Sequence, residues 1–364
     1  MLATRHIVGL SLLAALLGGP TPSRTAADVD GDAAKGKVRI TFAVAEGTKL
    51  RKTFAREIEL KDEGDSWLEL GTWHDSQRIV LLDEYGPVEE QIPTTITRSF
   101  ECIEMEHSHD WKIPLTFLSE EVSGVVEREG TGELVGLSVT FTRDYAEPEI
   151  PFGMPVTSYV AAVADDLELS DDAVARLAEL RANTDGTGLL PWREVAIGDP
   201  WFVDVDSFRE LCWPSGALRF LDSDGERMVT PVDERLGKNL DGTFRVELVA
   251  VERVAGRRLA QMSIRGILES QATFHYDWHL GVVQGLTLSY EGTITLGLYA
   301  SLQGQFWWDL DAGHLESLHI EGDVIVEQDL GEIRWDEWGM FLPDITGSRV
   351  WTGKLSADAE FERL

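Results

Sequence analysis

Apolar and polar residues alternate with a period of two along most of this chain. Val38, Ile40 and Phe42 share one parity, and Arg39, Thr41 and Ala43 the other. Successive strand side chains point to opposite faces, so this alternation predicts half-buried β-strands. The same grammar marks residues 54–60, 67–70, 79–82, 95–105, 122–126 and 134–141 as strands. Glu63-Gly64-Asp65 and Gly130-Thr131-Gly132 supply turns between them. It returns at 244–251, 258–267, 271–280, 286–302, 304–310, 314–328 and 350–361, with Asp311-Ala312-Gly313 as a tight hairpin.

One segment departs from this pattern. In residues 167–181, Val174, Leu177 and Leu180 fall at helical spacing. Ser170 is placed to cap, with Asp171 and Asp172 in the first turn and Arg181 in the last, as the helix dipole prefers. The expected fold is therefore mostly β: two antiparallel β-rich domains, sandwich or curved half-barrel sheets, joined by one helix. The expected divisions are a signal peptide over 1–27, a flexible leader over 28–37, an N-terminal β domain over 38–165, a helix and loop linker over 166–194, and a C-terminal β domain over 195–364. No fixed short repeat appears, which disfavours a solenoid or a propeller.

The N-terminus changes the picture of location. Arg5 and His6 precede an apolar run from Ile7 to Leu17, then Gly18, Gly19 and Pro20 break the helix. A run of roughly 11 residues suits a signal sequence, whereas a spanning helix needs ~20. Small residues Thr25-Ala26-Ala27 mark a cleavage point after Ala27. The chain is thus expected to be exported, periplasmic or extracellular, with no transmembrane span after signal cleavage. Its net charge of −32 repels phosphate backbones, which excludes a nucleic-acid partner. Export makes a disulfide between Cys102 and Cys212 chemically allowed; two separate thiols are the alternative.

Two histidine clusters are candidate metal ligands. His107 and His109 stand two apart, so on a strand both rings share a face, with Glu104 and Glu106 on the other. In the second cluster His275, Asp277 and His279 occupy one parity, and Phe274, Tyr276, Trp278 and Leu280 the other. Residues two apart on a strand are separated by ~7 Å, so one strand seldom supplies three ligands to one ion. A polar strand end is the alternative for the first cluster, and a half-buried strand with a solvated polar face for the second.

Residues 183–194 resemble an EF-hand calcium loop. Asn183, Asp185 and Thr187 hold the first, third and fifth places, Gly188 the sixth, and Glu194 the last, where a bidentate carboxylate is needed. Asn183 departs from the usual leading Asp, Pro191 is foreign to the loop, and no exiting helix follows. A Gly-rich helix stop reads the same residues differently. Leu190-Pro191 followed by Val195-Ala196-Ile197-Gly198-Asp199-Pro200-Trp201 also resembles a Leu-Pro…Val-x-Val-Gly-Asp-x-Trp stretch of uncharacterised exported bacterial β-rich proteins. That resemblance implies export and β architecture and no particular reaction.

Other chemistry finds no anchor. Gly31 to Lys37 mimics a phosphate loop, but Val38 stands where Ser or Thr must bind magnesium. There is no G-x-S-x-G, S-x-x-K, H-E-x-x-H or G-x-G-x-x-G. Trp307 and Trp308 are adjacent, so strict alternation sends one of them outward. The expected function is that of an exported, non-catalytic binding or envelope-associated protein. Its partner would be a hydrophobic small molecule on a curved sheet, or an envelope protein. No cofactor is expected on that reading. The alternative is a metal-dependent extracytoplasmic hydrolase using the His-rich strands, with a divalent metal or calcium bound.

Overall fold

The computed structural model describes residues 28–29, 36–63, 69–90, 92–115, 120–144, 158–163, 177–216, 218–228, 239–283, 286–330, 334–335 and 347–364. The expected signal segment, most of the leader, and the helical pattern up to residue 176 lie outside them.

The protein is mostly β. Twelve strands carry the fold: β1 (Lys49–Asp62), β2 (Glu69–Tyr85), β3 (Thr95–Leu115), β4 (Glu120–Gly132), β5 (Ser138–Asp144), β6 (Ser158–Val163), β7 (Pro200–Asp204), β8 (Asp241–Val254), β9 (Arg257–Val283), β10 (Leu286–Asp309), β11 (His314–Leu330) and β12 (Gly347–Arg363). The long strands run antiparallel in the order β8-β9-β10-β11-β12-β1-β2-β3-β4. Strand β12 pairs with β1, Ala359 opposite Phe54, so strands from both sides of residues 166–194 enter one sheet. Two separate sheets were expected; the hydrogen-bond ladder is one. A two-stranded sheet of Val88–Glu89 and Ile92–Pro93 is the small exception.

Strand parity follows the sequence. In β1 Leu50, Lys52, Phe54, Arg56, Ile58 and Leu60 are buried, and the alternate residues face water. Segments 258–267 and 271–280, expected as two strands, are the single strand β9; 286–302 and 304–310 are likewise β10. The expected strand at Val38 is only a bridge to Val195, although Ile40 is buried in the core. Trp307 and Trp308 are both buried. The strict alternation fails there because the β10–β11 register shifts between them, and the Trp308 indole donates to the Thr41 carbonyl at 3.2 Å.

Large and small side chains alternate across the strands of the inward face. One ladder row reads Phe244, Gly266, Leu302, Gly322, Leu355, Ile58. A Cβ on Gly322 would collide with the Ser301 carbonyl oxygen, and one on Gly353 with that of Glu59. Absent side chains let the neighbouring backbone come close, so the sheet curls toward this face.

The curl encloses a helix that the sequence pattern did not reveal. Helix α1 (Val205–Cys212) is capped by Asp204, whose carboxylate accepts from the Ser207 amide at 3.1 Å. It packs against β1, β7, β8 and β12, and Phe208 stacks on Phe244 with ring centroids 4.7 Å apart. Strands β8 and β1 are five places apart in the sheet, so contact with one helix requires the sheet to wrap around it. The chain around α1 reaches both sheet margins. Before it, β7 pairs with β8; after it, Phe220–Leu221 pairs with β4. These additions cover edges that would otherwise invite association.

The outward face is charged. A row one residue out of step reads Arg245, Arg265, Gln303, Glu321, Ser356, Glu57, Ser76, Glu106, Glu129. A lipid-facing barrel needs an apolar outer band ~25 Å tall, and the described outward face does not provide one. No described helix is long and apolar enough to cross a membrane.

Candidate functional site

Several polar residues are buried among the apolar ones of the inward face, and they include two groups with close side-chain contacts. The first is fully buried. Lys52 lies between Leu50 and Phe54, Asp83 between Leu81 and Tyr85, and Arg98 between Ile96 and Phe100, each on the inward parity. The Arg98 guanidinium grips Asp83 with two bonds, 2.7 and 2.8 Å long. The Lys52 ammonium donates to Asp83 at 2.6 Å, to Asp185 at 2.5 Å and to Thr184 at 2.9 Å. Arg98 also donates to the carbonyls of Arg181 and Ala182 at 2.8 and 2.7 Å. Two cations therefore meet two carboxylates, and the group fastens segment 181–185 to β1, β2 and β3.

Electrostatics follow from this packing. Burial alone would raise the Asp83 carboxyl, but Arg98 and Lys52 outweigh it and hold the pKa at about 2. Tyr85 is pushed well above its ordinary value by burial and by Asp185, to which its hydroxyl donates. Glu210 on α1 is pushed up to about 8, first by burial and then by Asp185. One of its oxygens accepts from the Asn183 amide at 3.0 Å; the other is buried with no hydrogen-bond partner among the described residues.

The second group sits on β2 and β3. Asp75 is 1% exposed and pairs in register with His107. Its carboxylate accepts from the Trp73 indole at 2.7 Å and bonds to His107 Nδ1 at 2.5 Å. His107 Nε2 stands 2.9 Å from His109 Nδ1. The Trp73 ring lies edge-on to His107 with centroids 5.4 Å apart. Burial and the neighbouring His107 lower the pKa of His109, so its ring is neutral at physiological pH. Glu104 and Glu106 point outward, as strand parity requires.

The other candidate residues are not gathered. His275 is exposed on the outward parity of β9, opposite to the face that holds His107 and His109. The side chains of Asp277 and His279 lie outside the described residues. In the calcium-like loop Asp185 turns inward to a lysine ammonium, Asn183 bonds to Thr187 and Glu210, and Glu194 is exposed. The Lys52 ammonium thus holds one oxygen of Asp185, the third position of that loop. Cys102 and Cys212 are free thiols, Cys102 half-buried beside Arg78 and Cys212 inside α1, so the disulfide is not formed. Burial pushes the Cys212 thiol up to about 12. No three His, Cys, Asp or Glu side chains among the described residues are arranged to hold a metal ion together.

Asp75, Lys52, Asp83 and Arg98 were not flagged by the sequence reading. Their signal was present: each is a polar residue on the apolar parity of a strand, where burial demands a partner.

No protein-family model matches the chain, and no curated protein matches it. Among solved structures, an outer membrane channel from Pseudomonas putida F1 is similar at 9% identity over 88% of this chain and 98% of that one, with a TM-score of 0.17. An engineered protein studied for asymmetric conductivity matches at 9% identity, covering 85% of this chain and 99% of that one, with a TM-score of 0.15. A mutant Rh. blastica porin gives 9%, 85%, 99% and 0.13 for the same measures. Likenesses at these scores carry no argument about this chain.

Proposed function

We propose that this is an exported, envelope-associated protein that binds a ligand without transforming it, and that it binds on the outward face where β7, β8, β9 and β10 meet. The observation that carries the reading is one ladder row. Phe202 on β7, 71% exposed, lies opposite Arg245; Arg245 lies opposite Arg265, and Arg265 opposite Gln303. Like charges directly across a ladder are destabilising, and the rest of the chain is strongly acidic. Glu247 reaches Arg245 at 2.7 Å, while no carboxylate among the described residues pairs with Arg265. An exposed aromatic ring, two guanidinium groups and an amide in line match a sugar bearing carboxylates: the ring stacks and the guanidinium forks the acid.

On the concave side, where an apolar ligand was expected, α1 packs against β1, β7, β8 and β12. Export rests on the apolar run before Pro20 and the small residues before Asp28. It is supported by Asp28 and Val29, which would open the processed chain and pair with Arg253 and Glu252 on β8. The hydrolase alternative draws on Asp75, His107 and His109, with His275 on the opposite face.

Two measurements test the reading. Calorimetric titration with oligogalacturonate is expected to show binding that neutral dextran does not. Arg265→Ser and Phe202→Ala are each expected to weaken it about tenfold or more, one lost charge-assisted contact or stack being worth ~1.5–3 kcal/mol. Equal binding by Arg265→Ser, or none by the native chain, would end the ligand assignment. Mass analysis of protein from an exporting bacterial host is expected to find Asp28 as the first residue. A full-length chain confined to the cytoplasm would end the export assignment.

A further inference from the structure

We infer that His107 and His109 form a two-imidazole site for a zinc- or copper-type divalent ion on the inward face of the sheet, with Asp75 as the residue that orients the first ring. The argument starts from the strand. His107 and His109 share the inward parity of β3, and the register places Asp75 of β2 directly opposite His107. The Asp75 carboxylate is held from two sides, by the Trp73 indole and by His107 Nδ1, and it is almost wholly buried. A carboxylate accepting at Nδ1 fixes the proton there and leaves Nε2 as the lone-pair nitrogen. Ligating histidines are oriented by this arrangement, and it raises their basicity.

The second nitrogen is in place. His109 Nδ1 lies 2.9 Å from His107 Nε2, and the ring centroids are 5.1 Å apart. Two nitrogens each ~2.0–2.1 Å from one ion, at an angle of about 90°, are ~2.9 Å apart. In the ligand-free protein a proton bridges them; a small turn of both rings lets an ion take its place. The Trp73 ring lies edge-on to His107 and tilted against His109, and it forms one wall of the site.

The ion class follows from the donors. Neutral imidazoles suit zinc, copper and nickel, and do not suit calcium or magnesium, which take oxygen ligands. With no third His, Cys, Asp or Glu converging among the described residues, the remaining positions go to water. Such a site is open to exchange. The chain's net charge of −32 draws cations toward it. This site is independent of the outward-face reading, and Arg265→Ser is expected to leave it untouched.

The test uses the full processed chain with Cu(II) and Zn(II) as probes. Calorimetry is expected to show one tight equivalent above any weak binding to surface carboxylates. The copper complex should give an electron paramagnetic resonance spectrum with two coupled nitrogens. Either His107→Gln or His109→Gln is expected to lower affinity at least 100-fold, while His319→Gln, at an exposed histidine beside Asp358, leaves it unchanged. Asp75→Asn should keep the two-nitrogen spectrum and lose about 10–100-fold in affinity. Circular dichroism and thermal melting identify any variant that fails to fold, and the remaining histidine variant then decides. Absence of a tight equivalent in the native chain overturns the inference. So does a nitrogen-free copper spectrum, or a folded His107→Gln or His109→Gln that binds like the native protein.

Discussion

Asp83→Asn is expected to destabilise the protein by about 3–5 kcal/mol in urea unfolding at pH 7, the usual cost of leaving a buried charge unpaired. In the native chain Lys52 and Arg98 are balanced by Asp83 and Asp185 with no exposure to solvent at the first three. Removing one carboxylate leaves two enclosed cations against one anion. The loss should appear across the molecule, because the same group pins segment 181–185 to three strands. The acid limb of the stability curve provides a second readout. A carboxyl held at about 2, against 3.8 for the ordinary group, contributes stability that is fully present above about pH 4. That contribution, about 2 kcal/mol, is lost as pH falls through 2. Asp83→Asn should lack this part of the acid dependence. A variant within about 1 kcal/mol of the native protein would mean that the network is not the fastening described here.

Glu210→Gln is expected to act in the opposite direction. The Glu210 carboxyl sits at about 8 because α1 buries it beside Asp185. Its folded pKa lies above the unfolded value of 4.5, so the folded state prefers it protonated. Stability therefore falls as pH rises from about 4.5 and levels off past about 8. At pH 7 the cost is about 3 kcal/mol relative to a group that cannot ionise. Gln keeps an acceptor for Asn183 and removes that cost. Thermal or urea unfolding should show a gain of about 3 kcal/mol at pH 7 and little change at pH 4. Equal pH dependence in the two proteins would show that Glu210 is not the titrating group.

Much of the local structure was legible in the sequence. Period-two alternation located the long strands and placed His107 and His109 on one face, with Glu104 and Glu106 behind them. It could not say which strands are neighbours. The joining of β12 to β1 is a pairing between residues some three hundred positions apart, and nothing in either strand names the other. This is why one sheet read as two. The same gap hid Asp75, since its meeting with His107 depends on the β2–β3 register. The expected strands 286–302 and 304–310 run on as one through Gly304, where the missing side chain admits the approach of the neighbouring strand. Helix α1 is only eight residues long, and its spacing of Val205, Phe208, Leu211 and Cys212 behind Asp204 was too brief to stand out. The spacing of the calcium-like loop could not show that Lys52 arrives from a distant strand to meet Asp185.

The central place of β12 has a consequence for folding. It is bracketed by β11 on one side and β1 on the other. Until those 17 residues are in place, the sheet exists as two pieces with unsealed flanks. Closure of the ladder must therefore wait for contacts between strands distant in sequence, and such pairing makes folding slow.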